Sequence, residues 1–491
     1  MRDAYLAIDF GTSNVHVTLI DAVTTEAIVG TSQKYGWYYP APNQVELDIE
    51  ETWKASEWCV GEVISKLPAD VNLLAITFSY FGDSITPVDA AGNPLFGMLP
   101  GFCGRSYKEV QTIADVMGAD EYAKITGNTL TTLSTPSKIM WLKNNQPEIF
   151  AKTAGFYSNQ QYVMRKLGLG EVQDRTMAAR KLALDVKADC WSAPILDLAG
   201  VSEKQLGTEI VESATVVGKI DHYGEVKLPC KLPVTIGCHD VSASLLSAGV
   251  TVDNPDTIGV LMGTYEQMGY FSDEFVDGCN DFGDSLIFSC CYSSPFKNKY
   301  TVMDAFPTAG ALLEWFCKNI LHDPKADIGK MIADTDLNAT NSLFVLPYVE
   351  NFHGAIVGMS LSTTTEDIFR GILESLAYQF VACVDYIKST RKAPFTKLHF
   401  GGGGSRTDKL LQLRADLINA PLGRMENIEL PSLGACMLAG LGNGWYKSVE
   451  DAAKHMVNKV NYFYPDAANG AKQAERYREY KALSAEYLGR G

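Results

Sequence analysis

Two short stretches of this chain, half its length apart, are written in the same grammar: a strand, a turn rich in glycine and hydroxyl side chains, and a returning strand. In the first, residues 5–8 form an apolar strand core that ends on Asp9, Phe10-Gly11-Thr12-Ser13-Asn14 supplies the turn, and residues 15–20 alternate as the second strand. In the second, residues 257–262 run into Gly263-Thr264 and on towards Tyr270-Phe271. A hairpin repeated at this distance predicts two related halves. With 491 residues the chain is also too long for one ordinary core. The halves are placed at 1–248 and 249–491, with the boundary near 248–254, where an apolar helix ends just before the second hairpin.

The sequence between the hairpins is mixed α/β. Apolar residues recur at helical spacing over 50–67 (Trp53, Trp58, Val60, Val63, Ile64), and 73–78 reads as a buried strand. Further helices are predicted over 137–145, 309–319, 365–387 and 409–419. Pro87 to Pro94 reads as a turn.

Three segments carry candidate chemistry. Asp9 stands at a strand end beside an N–H-rich turn, where a carboxylate can hold Mg²⁺ and the turn can approach a phosphate; a capping Asp in a plain hairpin is the alternative. Asp240 stands where a strand (233–237) meets an apolar helix (241–248), at the helix N-cap. The position suits a simple cap or a fixed base pointing into a cleft. His239 beside it is, taken alone, more often structural. The run Gly401-Gly402-Gly403-Gly404-Ser405 lies between a strand and a helix. Glycine costs about 0.5–1 kcal/mol per residue in regular structure, so four together point to a ligand passing close to the backbone. The run fits neither GxxxxGK[ST], which is absent from the chain, nor GxGxxG, because Arg406 occupies the last position.

Composition narrows the partners. The formal net charge is −16 at pH 7, which repels nucleic acid and anionic lipid in bulk but leaves room for a nucleotide held by backbone N–H groups and a metal. Eleven scattered cysteines with no CxxC pair read as reduced, mostly buried thiols. The opening Met1-Arg2-Asp3 goes straight into a strand without signal-peptide features, and no apolar run approaches the ~20 residues needed to span a bilayer. A cytoplasmic protein is expected.

In this order the segments resemble the FGGY carbohydrate kinases, a branch of the actin/Hsp70/hexokinase ATPase superfamily, collinearly from Ala7 to about Ala453. Asp9-Phe10-Gly11-Thr12-Ser13 is similar to the first phosphate motif and Gly263-Thr264 to the second. Ser137-Lys138 through Pro147-Glu148 resembles the family's SKxxWLKxNxPE helix. His239-Asp240 followed by Ala248-Gly249 resembles the GHD…GAG segment that carries the base. Gly310 to Trp315 is similar to GxxLxW; Gly401 to Ser405, Ala415-Asp416 and Leu433-Gly434-Ala435-Cys436 resemble the C-terminal signature.

The resemblance implies an α/β fold of two RNase-H-like (actin-like ATPase) domains with a cleft between them. It implies ATP held by Gly11, Thr12, Ser13, Gly263, Thr264, Gly310, Gly402 and Gly403, and Mg²⁺ near Asp9 and Asp240. Asp240 would be the base, and the first half would bind a small sugar or polyol. Family members are often homodimers. The acceptor loops depart from the commoner members and look closer to the L-fuculose kinase branch. Phe81-Gly82-Asp83-Ser84 and Phe102-Cys103-Gly104-Arg105-Ser106 stand there, so Phe81, Asp83, Arg105 and His239 are the expected substrate contacts. A ketose of the fuculose or pentulose type is the expected acceptor. A different polyol or signalling molecule, or a catalytically silent regulatory protein of the same fold, are the competing readings.

Overall fold

The computed structural model describes the chain except residues 264–265, 278–287, 307–308, 338–341, 348–353, 391–394, 427–428, 458 and 489–491. In the first half, β1 (Arg2–Phe10) pairs antiparallel with β2 (Asn14–Asp21), and β2 with β3 (Ala27–Lys34). The chain then forms α1 (Ile49–Ser65) and returns as β4 (Val71–Tyr80), parallel to β1. The short helix α2 (Arg175–Ala179) precedes a hairpin of β5 (Val216–Tyr223) and β6 (Val226–Thr235). The sheet order is β5–β6–β4–β1–β2–β3, and a two-residue strand β7 (Cys238–His239) also pairs with the end of β4 before α3 (Asp240–Ser247) begins.

The second half repeats this path. Its strands are β8 (Thr257–Met262), β9 (Glu266–Ser272), β10 (Phe288–Ser293), β11 (Tyr300–Phe306), β12 (Lys397–Gly401), β13 (Leu422–Met425) and β14 (Val460–Phe463). They order as β10–β11–β9–β8–β12–β13–β14. Three antiparallel strands followed by two parallel ones occur in both sheets: β3–β2–β1–β4–β6 in the first and β11–β9–β8–β12–β13 in the second. The second half also holds α4 (Gly310–Asn319), α5 (Thr365–Thr390), α6 (Asp408–Ile418) and α7 (Leu430–Gly442).

Seven successive residues of β1, from Ala4 to Phe10, are buried, because α1 packs on one side of this sheet and α7 on the other. A strand covered on both faces reads as an apolar run rather than an alternation. The helix from the second half thus forms part of the core of the first. α7 also crosses α3, with Gly434 against the backbone of Ala243: a Cβ at Gly434 would lie 1.8 Å from the Ala243 carbonyl oxygen. Thr77 of β4 donates to the Ala435 carbonyl at 3.0 Å across the same contact.

The expected helices and strands are present with shifted ends. The helix read over 137–145 starts earlier, at Thr135, because Pro136 fits the first turn, where no N–H is needed. Eight of the ten described cysteines are buried, and no disulfide joins two of the ten. Among the described residues no helix is long and apolar enough to cross a membrane.

Candidate active site

Asp9 lies at the end of β1, register-paired with Ser79 of β4, and the Ser79 hydroxyl donates to its carboxylate. The turn beyond it closes on a bond from the Gly11 N–H to the Asn14 carbonyl, 3.0 Å, and Tyr35 donates its hydroxyl to the Gly11 and Asn14 carbonyls. Burial pushes the Asp9 carboxyl up to about 6, against the Ser79 hydrogen bond and with the negative charge of Glu429 adding to it.

Asp240 belongs to the same neighbourhood. The structure corrects its expected place by one position: α3 starts at Asp240 and the N-cap is His239. The strand continues through His239, whose N–H donates to Thr176 Oγ1 at 2.8 Å, so the helical turn begins one residue later. Gly237 is required just before it, since at φ +74° a Cβ would sit 1.9 Å from the Phe78 carbonyl oxygen. The Asp240 carboxylate accepts from the Val241 N–H at 2.7 Å and has His239 Nε2 at 3.1 Å, both on Oδ1. Its side chain is 30% exposed, whereas His239 beside it is 7% exposed, so the carboxylate faces an opening. Burial, then the nearby Asp9 charge, push Asp240 up to about 7.

The acceptor loop meets this pair. Asp83, in the left-handed region at φ +59°, forms an ion pair with Arg180 at 2.7 Å. Arg180 follows α2; it also donates to Asn128 Oδ1 at 3.0 Å and lies over the Tyr292 ring, 5.1 Å from its centroid. Lys138 donates to the Asp83 carbonyl at 2.7 Å, which holds the loop from below. Burial pulls this lysine down to about 8. Gly82 lies against His239: a Cβ there would be 2.9 Å from Nε2. Asp83, Arg180, His239 and Asp240 therefore form one cluster.

The other two candidates from the acceptor loops lie elsewhere. Arg105 has a fully buried side chain, paired with Glu46 at 2.8 Å, donating to Cys103 Sγ and the Val45 carbonyl, and stacked 4.7 Å from the Trp141 ring centroid. Arg105 thus lies apart from the cluster of Asp83 and Asp240: Glu46 neutralises its charge, and the guanidinium braces the 43–46 and 103–105 segments. Phe81 is 3% exposed, and its N–H donates to the Phe10 carbonyl, so it packs in the core behind the site.

In the second half, Gly263, Gly310 and Gly403 line one cavity of about 420 Å³ together with Leu313, Ile332 and Leu410. The Gly310 N–H donates to the Gly263 carbonyl at 3.2 Å. Gly402, at φ +87°, abuts the end of β8, where a Cβ would be 2.6 Å from the Met262 carbonyl oxygen. Glu266 and Arg414 also line the cavity; they form a fully buried two-bond ion pair, 2.7 and 2.8 Å. Thr264 lies outside the described residues. The helix that starts at Asp240 rests on β8, whose end opens this cavity, with Leu245 against Gly259.

Both halves of this arrangement have known counterparts. The N-terminal domain of the FGGY family of carbohydrate kinases matches residues 4–247, and its C-terminal domain matches residues 284–442. The chain belongs to the FGGY family of carbohydrate kinases. It is thus a phosphotransferase with an alcohol group as acceptor, in a family whose kinases use ATP. It is 24% identical over 497 residues to the xylulose kinase of Bacillus subtilis (strain 168), covering 97% of this chain and 96% of that one. It is 26% identical over 479 residues to the glycerol kinase of Desulforamulus reducens, covering 93% and 92%. The gluconate kinase structure from Lactobacillus acidophilus superposes with a TM-score of 0.87 over all of both chains at 20% identity, which shows the two-domain actin-like ATPase fold.

For this FGGY chain, sequence reasoning missed Arg180, Asn128 and Tyr292. Their signal is faint: residues 174–183 read as a mixture of polar, charged and small residues, yet every one of them is buried. A charged stretch that folds into the interior must find partners there. Tyr292 sits in a strand with no local mark at all.

Proposed function

We propose that this chain transfers the γ-phosphoryl group of ATP to a hydroxyl of a small neutral sugar, a ketose of the pentulose or L-fuculose type, with Asp240 as the base. The observation that carries this reading is the Asp240 carboxylate: partly open, fixed on one oxygen by the Val241 N–H, and set beside Asp9 in a buried neighbourhood. No hydrogen bond among the described residues engages its Oδ2. An acceptor hydroxyl in reach of Oδ2 would give up its proton there as its oxygen attacks the γ-phosphorus and ADP departs.

Mg²⁺ fits the pair of acids. Burial raises both carboxyls, with the Glu429 charge adding to Asp9 and the Asp9 charge adding to Asp240, and neither forms an ion pair with Lys or Arg among the described residues. No group of three or more metal-ligating side chains occurs there either, which suits an ion held by one or two carboxylates with water and phosphate oxygens. Asp9, with Asp240 near it, would hold the ion, which supplies neutralisation of phosphate charge and favours the ionised form of both acids.

Gly263, Gly310, Gly402 and Gly403 would bring backbone close to the nucleotide, and Leu313, Ile332 and Leu410 would take an apolar ring. Gly11, Thr12 and Ser13 would face phosphate from the first half. Asp83 and Arg180 compensate each other, so this ion pair presents no net charge to an acceptor; this supports a neutral polyhydroxyl compound. Relatives named xylulose kinases support the pentulose.

The test is acceptor-dependent ADP release across ketoses, aldoses and polyols, with Asp240→Asn beside the parent. A base of this kind contributes about 10²–10⁴-fold, so the variant should lose at least about a hundredfold in kcat with the preferred acceptor. Intact turnover in Asp240→Asn would exclude it as the base. No turnover by the parent with any acceptor would favour a silent regulatory protein.

A further inference from the structure

Asp83 is held through three contacts, and every residue that holds it is buried. Its carbonyl accepts from the fully buried Lys138 at 2.7 Å. Its carboxylate accepts from Arg180 Nη2 at 2.7 Å; the Arg180 side chain is 4% exposed and that of Asp83 14%, so Asp83 is the member of the pair that reaches the opening. Gly101 lies against its side chain, where a Cβ would come within 2.9 Å of the Asp83 Cβ. These contacts keep its backbone at φ +59°, a conformation that strains a residue other than glycine and persists where the surroundings impose it.

Arg180 is itself fixed more firmly than an ion pair requires. Nη1 donates to Asn128 Oδ1 at 3.0 Å, and the guanidinium lies over the Tyr292 ring, 5.1 Å from its centroid. Two nitrogens and one face of a rigid planar fork are thereby set. The stem is placed as well: a Cβ at Gly82 would be 3.2 Å from Arg180 Cγ, so the acceptor loop packs directly on it. Asn128 and Tyr292 both trace back to the second sheet. Tyr292 is on β10, and the Gly127 carbonyl, one residue before Asn128, accepts from the Cys291 N–H of that strand at 2.8 Å. A buried ion pair is a weak source of stability, because desolvation offsets the attraction and apolar residues of similar volume would hold a loop as well. What an arginine with these fixed contacts supplies is a carboxylate in one orientation.

We propose that Arg180 is a positioning residue for the acceptor: it holds the Asp83 carboxylate in the orientation in which that carboxylate accepts a hydrogen bond from a substrate hydroxyl, and β10 of the second half holds Arg180. The inference rests on the proposed function, in which the Asp83 loop faces the acceptor.

The test uses the full chain and acceptor-dependent ADP release with the preferred acceptor. Arg180→Lys keeps a cation opposite Asp83 but cannot hold Asn128 and Asp83 in one plane. Its KM for the acceptor should rise about tenfold, the scale of one lost charge-assisted hydrogen bond, with KM for ATP within about twofold of the parent. Asn128→Ala releases the same guanidinium without removing a charge, which keeps the test open should Arg180→Lys fail to fold; it should raise the acceptor KM about threefold. A role in stability alone would lower the melting temperature and the fraction of active enzyme and leave both KM values where they are. Asp83→Gly suits the backbone at φ +59° and removes the carboxylate. Its acceptor KM should rise by about tenfold or more, and Arg180→Lys added to it should cause no further rise.

An unchanged acceptor KM in Arg180→Lys or in Asn128→Ala, an equal rise in KM for ATP, or additive rises in the double variant would each overturn the proposal. Asp83→Gly separates this failure from that of the acceptor reading. If its acceptor KM is parental, the loop does not face the acceptor and the proposed site fails; if it rises while Arg180→Lys and Asn128→Ala behave as the parent, only the positioning role fails.

Discussion

Gly434→Ala adds one methyl group where α7 crosses α3, and the structure fixes what that methyl would meet. Its Cβ would stand 1.8 Å from the Ala243 carbonyl oxygen, 2.4 Å from the carbonyl carbon and 2.8 Å from the Cα. All three are backbone atoms, so no side chain can swing aside. Ordinary contact begins at 3.4 Å, so the helices must separate by about 1.5 Å or slide by a comparable amount. Alanine in place of a helical glycine returns about 1 kcal/mol of propensity. Overpacking of an interior costs about 1–3 kcal/mol and more where backbone must move, so the net effect is a destabilisation of about 2 kcal/mol. The catalytic effect should be larger than that figure suggests. Ala243 is one turn after Asp240 on the same helix, and a shift of about 1 Å in a reacting group costs on the order of a hundredfold in rate. Thermal denaturation and kcat for the preferred acceptor should therefore both fall, kcat by about a hundredfold. A variant with parental melting and parental kcat would refute the reasoning, since the helix crossing would then tolerate what its geometry forbids. A variant that melts earlier but turns over normally would show that the crossing supports the fold without setting the base.

The glycine run separates strain from ligand approach. At Gly402, φ is +87° and a Cβ would meet the Met262 carbonyl oxygen, so Gly402→Ala should lower thermal stability by about 1–3 kcal/mol. At Gly403 nothing lies within 4 Å and the residue lines the second-half cavity, so with the nucleotide seated there as proposed Gly403→Ala should melt normally and raise KM for ATP about tenfold; an unchanged KM would remove Gly403 from the proposed nucleotide site. Asp304 of β11 is 1% exposed, and burial pushes its carboxyl up to about 7. The folded state then holds a proton that the unfolded chain has released, so stability falls as pH rises from about 4 to about 7, by roughly 4 kcal/mol at most. Asp304→Asn removes this dependence, and its melting temperature relative to the parent should climb between pH 5 and pH 8; the same difference at both pH values would contradict the assignment.

The parts of this molecule that sequence reveals are those whose cause is local. The two hairpins show because alternation, glycine and hydroxyl residues lie within a dozen positions of one another. Asp240 shows because a strand ends and an apolar helix begins around it. The glycine run shows because four adjacent glycines have no cheap explanation. The acceptor wall has a different origin. Arg180 matters because Asp83, Asn128 and Tyr292 converge on it from three distant stretches, and none of them leaves a mark near residue 180. Arg105 illustrates the converse. It stands in a loop where the family resemblance pointed to substrate, but Glu46 and Trp141 meet it from outside that loop and take it into the interior. Which of two buried arginines joins the cluster of Asp83, His239 and Asp240 is decided by tertiary partners, and these cannot be read from spacing.

The two halves share a path, and comparing equivalent positions on it explains how their labour divides. Phe10 and Met262 form the last pairs of their hairpins, with Val15 and Glu266, so Asp9 and Leu261 occupy the same place one step back. In the parallel neighbour, Asp9 has Ser79 beside it, and Leu261 has Gly401. The first half thus sets a carboxylate and a hydroxyl where the second sets an apolar side chain and the first of four glycines. A buried carboxylate attracts a cation and repels phosphate, so it suits the side where a proton is taken and a metal is held. Gly401 leaves room for the Leu430 side chain, whose Cδ1 a Cβ there would meet at 1.9 Å, and the cavity is lined by the glycines after it, Gly403 and Gly404. One scaffold, used twice, therefore yields a charged strand end and an uncharged one. The repeat is therefore visible in the strands, while the residues at this position differ: an acid beside a serine in the first half, a leucine beside a glycine in the second.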